Sequence, residues 1–134
     1  MFNLKRVTLA LFLTAAVALQ TIAAELGTQE SSDRGVTVAV TPQTLASNAS
    51  TWNFKIVLDT HSADLSDDLV KSAVLLDEKG GRHAPIAWDG AAPGGHHREG
   101  VLRFKPIAPQ PRSIELQIRR GGEAAPRSFR WQIN

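Results

Sequence analysis

The chain has 134 residues, no Cys, and a single Met at position 1. With no sulfur beyond Met1, thiol nucleophiles, redox pairs, thiolate clusters and disulfides are all excluded. The formal net charge of +2 comes from Lys5 and Arg6. The rest of the chain is balanced, with acidic residues in excess before Arg98 and basic ones after it.

Lys5 and Arg6 precede an apolar run, Val7 to Leu19. That run has the length of a secretory h-region and is short for a membrane span. Small residues at Ala23 and Ala24 then place a cleavage point after either one. Residues 1–24 are therefore read as a cleavable signal peptide. This predicts a periplasmic or secreted protein with no membrane span in the mature chain. Residues 25–34 are polar and read as a flexible arm. Residues 35–134 form one domain, large enough to bury a core without disulfides.

Within that domain the apolar residues alternate with a period of two. Gly35 to Thr41 reads as a half-buried strand, with Pro42 either ending it or sitting on an edge. Thr51 to Asp59 is the longest strand, with Trp52, Phe54, Ile56 and Leu58 on the core face. The Ser- and Asp-rich segment Thr60 to Asp68 is a loop, and Leu69 to Asp77 is a third strand. Lys79-Gly80-Gly81 turns the chain as a hairpin. Arg82 to Trp88 returns as one strand broken by Pro85, which puts it at an edge.

Asp89 to Gly100 reads as a long Gly/Pro loop. Val101 to Lys105 is a short strand with Leu102 and Phe104 inward. Pro106, Pro109 and Pro111 mark an extended crossover. Ser113 to Arg119 and Arg127 to Ile133 are the last two strands. Ile114, Leu116, Ile118, Phe129, Trp131 and Ile133 point inward. Seven short strands with turns between them, and no helical period, predict an all-β fold. The expected architecture is an antiparallel immunoglobulin-like β-sandwich. Trp52, Phe54, Trp88, Phe129 and Trp131 would fill the place of the disulfide that antibody domains carry. The basic residues near the C-terminus fall on solvent faces of strands, so nucleic-acid binding is not expected.

Two segments hold three of the four histidines: Asp59-x-His61-x-x-Asp64, and Pro93-Gly-Gly-His96-His97-Arg98. If both loops share one end of a sandwich, His61, His96, His97, Asp59 and Asp64 make a nitrogen/oxygen set suited to Cu(II) or Zn(II). The reading favoured over this one makes the same residues loop-holding groups, because Asp and Ser bond back to nearby backbone N–H groups. Gly94-Gly95 beside His96, His97 and Arg98 also admits an anion reading. His61, Ser62 and Asp64 are sequence neighbours that diverge on extended backbone, so they do not make a triad. No nucleophile elbow, Walker motif, dinucleotide fingerprint or calcium loop is present. The expectation is a non-enzymatic protein that requires no cofactor.

The run LDTHSADLSDDLVKSAVLLDEKG, then APIAWDG, PGGHHREGVLRFKP and SIELQIRR, resembles a widespread type of small exported bacterial protein without an assigned activity. The resemblance covers about Val36 to Trp131. It implies an immunoglobulin-like sandwich with no established catalytic residues. A looser resemblance, to periplasmic copper-resistance carriers, stops at the start of the mature chain. Those place a His ligand there, whereas this chain begins with Ala24 or Glu25. The functional expectation is a binding or accessory role in the bacterial envelope, toward an envelope protein or a small ligand. The alternative is a periplasmic carrier of a divalent metal through His61, His96 and His97.

Overall fold

Alternation builds this protein into strands, and the computed structural model describes residues 26–133. The signal peptide read over 1–24 lies outside the described residues. Nine strands and one short helix follow in order: β1 (Gln29–Asp33), β2 (Val36–Thr44), β3 (Trp52–Thr60), α1 (Leu69–Ser72), β4 (Ala73–Asp77), β5 (Arg82–His83), β6 (Ala87–Gly90), β7 (His97–Phe104), β8 (Ser113–Ile118) and β9 (Arg127–Gln132). They form two sheets, a five-stranded one ordered β1-β2-β3-β7-β6 and a four-stranded one ordered β5-β4-β8-β9. Every pairing is antiparallel. The inner faces of both sheets meet in one hydrophobic core, as in a β-sandwich. Among the described residues, no helix is long and apolar enough to cross a membrane.

The expected centre is in place. Trp52, Phe54, Ile56 and Leu58 on β3 are fully buried, flanked by Val38 and Val40 on β2 and by Leu102 and Phe104 on β7. The facing sheet supplies Leu75, Ile114, Leu116, Ile118, Phe129 and Trp131. Phe54 bridges the layers. It meets Phe104 edge-on at 5.6 Å between ring centroids and Trp131 at 5.7 Å. Trp52 satisfies its indole N–H with the Ala46 carbonyl at 3.0 Å, which lets a large ring be buried without an orphaned donor.

The structure differs from expectation at several points. The strand count is nine, not seven. The segment read as a flexible arm contains β1, which pairs with β2 from Gln29↔Val40 to Asp33↔Val36. Its Gln29 side chain also lies against β9, accepting from the Arg130 N–H at 2.9 Å and donating to the Arg130 carbonyl. One glutamine amide thus acts as a strand rung between the two sheets. The expected strand Leu69 to Asp77 begins with a helical turn. The Asp68 carboxylate caps it, accepting from the N–H groups of Val70 at 3.2 Å and Lys71 at 3.4 Å. A capping aspartate before an apolar pair outweighed β-propensity there.

The segment expected as a single strand over Arg82 to Trp88 is divided. Here the chain changes sheets. Arg82–His83 pairs with β4, Pro85 is buried at the crossing, and Ala87–Gly90 pairs with β7. Proline cannot continue a ladder, so it marks the passage between layers, and both halves lie at edges as expected, β5 of the four-stranded sheet and β6 of the five-stranded one. β7 is also longer than expected, because His97 to Gly100 belong to the strand and not to the preceding loop.

One close approach depends on glycine. Gly90 and Gly100 face each other across β6 and β7. A methyl group built on Gly100 would lie 2.6 Å from the Gly90 Cα and 2.7 Å from the Trp88 ring. The pair gives Trp88 a flat bed at the end of the sandwich. Gly100→Ala should therefore destabilise the domain by about 1–3 kcal/mol through overpacking. Phe54→Ala should cost about 3–5 kcal/mol, whereas Ile86→Ser, on an exposed side chain, should stay within about 0.5 kcal/mol. Urea unfolding of the three variants checks this ranking.

Candidate functional site

Both histidine segments lie at the same end of the molecule. β3 and β7 pair through Leu58↔Arg98 and Asp59↔His97. Beyond that register the Thr60 N–H donates to the His96 carbonyl at 2.9 Å, and the Gly94 N–H to the Leu65 carbonyl at 2.8 Å. The loops 61–68 and 91–96 are thereby stitched together. The turn between β1 and β2 and the loop 119–126 complete this end.

Of the expected metal ligands, only Asp59 and His97 are brought together. They sit opposite each other on the outer face of the five-stranded sheet, with Nδ1 of His97 2.5 Å from Oδ1 of Asp59. The other ring nitrogen, Nε2, lies 3.5 Å from Oε2 of Glu99. Glu99 in turn pairs with Lys55 at 3.0 Å. The two carboxylates occupy opposite nitrogens of one imidazole, so they cannot share an ion with it. The Asp59 hydrogen bond, then its charge, holds the His97 pKa above the ordinary histidine value. Lys55 holds Glu99 below the usual carboxylate range. His61, His96 and Asp64 are exposed. Asp64 contributes its backbone carbonyl, not its carboxylate, to the fold, as an acceptor from Arg120 at 3.2 Å. Among the described residues no group of three or more His, Asp or Glu side chains converges on one point.

The groups that organise this end are three buried arginines. Of these, the sequence pointed only to Arg98, and to that one as an anion ligand. Arg98, 1% exposed, donates from Nη1 to the carbonyls of Leu65 at 3.1 Å and Asp67 at 2.7 Å, and from Nη2 to that of Ala91 at 3.2 Å. Its guanidinium lies 5.7 Å from the centroid of the Trp88 ring. No carboxylate faces it among the described residues, so its charge is met by carbonyl dipoles and a π-face. The anion reading of Gly94 to Arg98 is corrected here, because this guanidinium points into the protein.

Arg127 is the second. It donates to the carbonyls of Ser31 and Val36, both at 2.8 Å, and of Asp33 at 2.9 Å. It also pairs with Glu123 through Nε at 2.9 Å and Nη2 at 2.8 Å, the bidentate geometry that suits a guanidinium. Arg120, the third, bonds the Asp67 carboxylate at 3.0 Å and reaches Glu123 at 3.5 Å. The Arg127 hydrogen bond holds the Glu123 pKa below the usual carboxylate range.

A signal for all three was available in the phase of alternation. Arg98 continues the inward set Leu102 and Phe104. Arg120 continues Ile114, Leu116 and Ile118. Arg127 begins the set Phe129 and Trp131. An arginine in phase with a core face is a candidate for burial, and charge alone hides it.

Beside this clamp, an open groove of about 650 Å³ runs between α1 and the loop 119–126, over the outer face of the four-stranded sheet. Asp67, Arg120 and Glu123 form one wall. Comparison with known proteins finds no matching family model, no matching characterised protein and no matching solved structure.

Two outcomes test this geometry. Glu123→Gln should cost about 3 kcal/mol at neutral pH, because Arg120 and Arg127 lose a shared buried counter-charge. Glu123 has a depressed folded-state pKa, so its contribution is present above the ordinary carboxylate range and is lost as pH falls through the folded value. Urea unfolding should show the gap between wild type and variant closing on acidification. For His97 the sign is opposite: a raised folded-state pKa stabilises below the ordinary histidine value and the effect is lost at higher pH. An NMR titration should place the His97 midpoint above about 6.5, and Asp59→Asn should lower it.

Proposed function

We propose that this protein is a non-enzymatic binding domain of the bacterial envelope, exported by its N-terminal leader, that meets its partner through the loop-bearing end. The two-layer architecture is read as immunoglobulin-like. One observation carries the proposal. Loops 61–68, 91–96 and 119–126 are fixed from inside by Arg98, Arg120 and Arg127, while their tips, His61, Ser66, Ala92 and His96, remain exposed. Rigid loops lose little conformational entropy on binding, which favours recognition.

The metal-carrier alternative draws less support from the geometry. His97 is engaged at both ring nitrogens. A catalytic reading has no paired nucleophile and base to rest on among the sequence candidates. The envelope assignment rests on Lys5, Arg6 and the apolar run that follows them.

Site-specific photo-crosslinking in cells producing the full chain tests the reading. A crosslinker at His61, Ser66, Ala92 or His96 should give discrete adducts. The same crosslinker at Ser47 or Lys79, exposed at the opposite end, should not. Adducts confined to the opposite end would contradict the proposal. Stoichiometric Cu(II) or Zn(II) binding lost in a His61→Ala/His96→Ala/His97→Ala variant would favour the metal carrier instead.

A further inference from the structure

The groove beside the arginine clamp has an uneven charge. Its carboxylates are already spoken for. Asp67 and Glu123 are held by Arg120 and Arg127, and Asp68 caps α1. Its outer cations are not. Among the described residues, Lys71, Arg82 and Arg119 line the groove without an ion pair to any carboxylate. The groove is therefore cationic at its rim although the chain beyond the leader is neutral overall.

The sheet register sets the spacing of these charges. Arg82 lies opposite Leu76 of β4. Arg119 follows Ile118, which lies opposite Ala73, and its N–H donates to the Ser72 carbonyl at 2.8 Å. The two guanidinium-bearing positions are thus about four residues, or about 13 Å, apart along β4, and because β5 and β8 flank β4 on opposite sides they are also two strand spacings, about 10 Å, apart across the sheet, for a separation of about 16 Å. Between them the outer face presents Val74 and Gln117, opposite each other in the register. Lys71 stands on α1 at the Arg119 side.

This arrangement selects among anions. A single phosphate would engage both arginines only if their side chains leaned together across the groove, whereas two separate carboxylates can be met by each in place. Single-stranded nucleic acid is held by aromatic stacking platforms, and no aromatic side chain lines the groove. An extended peptide does fit. Residues i and i+4 on an extended chain are about 13 Å apart and point the same way, a spacing that two long arginine side chains lying diagonally across the groove can meet. Two acidic side chains at those positions can each take a bidentate guanidinium. An apolar residue midway would meet Val74.

We infer that the groove is the docking site for an extended acidic peptide segment of a protein partner, with two carboxylates four residues apart received by Arg82 and Arg119. This deepens the binding-domain reading and rests on it.

Fluorescence anisotropy tests the inference. The probe is a short labelled peptide carrying two glutamates four residues apart with a leucine midway. It should bind the wild-type protein, and its affinity should fall as salt rises. The Arg82→Gln/Arg119→Gln variant should bind it about tenfold or more weakly. Lys79→Gln, at the other end, should change affinity by less than about twofold. Circular dichroism and thermal melts of the variants should match wild type, since both arginines are exposed. No binding to wild type, or equal binding to the double variant, would overturn the inference. So would stronger binding of a short polyphosphate or a sulfated oligosaccharide than of the peptide. If the peptide fails while crosslinks at the loop tips persist, the docking site is wrong and the binding-domain reading stands.

Discussion

Burial of guanidinium charge against backbone carbonyls is the constraint on which this molecule depends. A β-sandwich core needs only apolar alternation to form, and β3, β7, β8 and β9 supply it. The loop-bearing end needs more. Leu65, Asp67 and Ala91 lie in segments outside the strands, where carbonyls need donors from elsewhere; Gly94 and the Trp88 indole supply one each to Leu65 and Ala91. Arg98 supplies donors to all three from within the fold. Arg127 ties the paired ends of β1 and β2 to β9 through the carbonyls of Ser31, Asp33 and Val36. The arginines stand where apolar side chains would otherwise continue the core, and they convert irregular chain into fixed structure.

The two clamps are linked. Glu123 receives Arg127 and Arg120, and Arg120 reaches across to Asp67 and Asp64. Loop 61–68 is therefore tied to Arg98 on one sheet and to Arg120 on the other. A buried ion pair adds little net stability by itself, but removing one member leaves the other stranded. The consequence is cooperativity. Disturbance of Glu123 should reach both the β1–β2 turn and the loop that bears His61. By contrast, the Asp59–His97–Glu99–Lys55 row lies on an exposed sheet face, where solvent screens its charges and its worth to the fold is small.

Much of the fold was legible in the sequence, because burial on a sheet imposes a period of two. β3 could be read residue by residue, and so could the inward sets of β8 and β9. What escaped reading has a physical cause in each case. The turn of α1 is set by a capping carboxylate at Asp68, a signal weaker than the run of apolar residues after it. β1 is nearly all polar and is a strand only because β2 offers an edge. Arg82 to Trp88 divides between sheets, and no periodicity reports which layer a strand joins. At the candidate site, the sequence left open whether the two histidine segments share one end, because no local pattern reports which loops a sandwich brings together. The inward arginines were hidden by the habit of placing charge on the surface, and the groove cations gain meaning only once the register spaces them.

Amide hydrogen exchange tests the arginine clamp most directly. The N–H groups of Thr60 and Gly94 join the two loops and should exchange nearly as slowly as those of Leu116 and Phe129 in the core strands. In an Arg98→Met variant, Thr60 and Gly94 should exchange much faster while Leu116 and Phe129 stay protected, which marks local opening rather than global unfolding. Fast exchange at Thr60 and Gly94 in the wild-type protein, or protection there unchanged by Arg98→Met, would contradict the account.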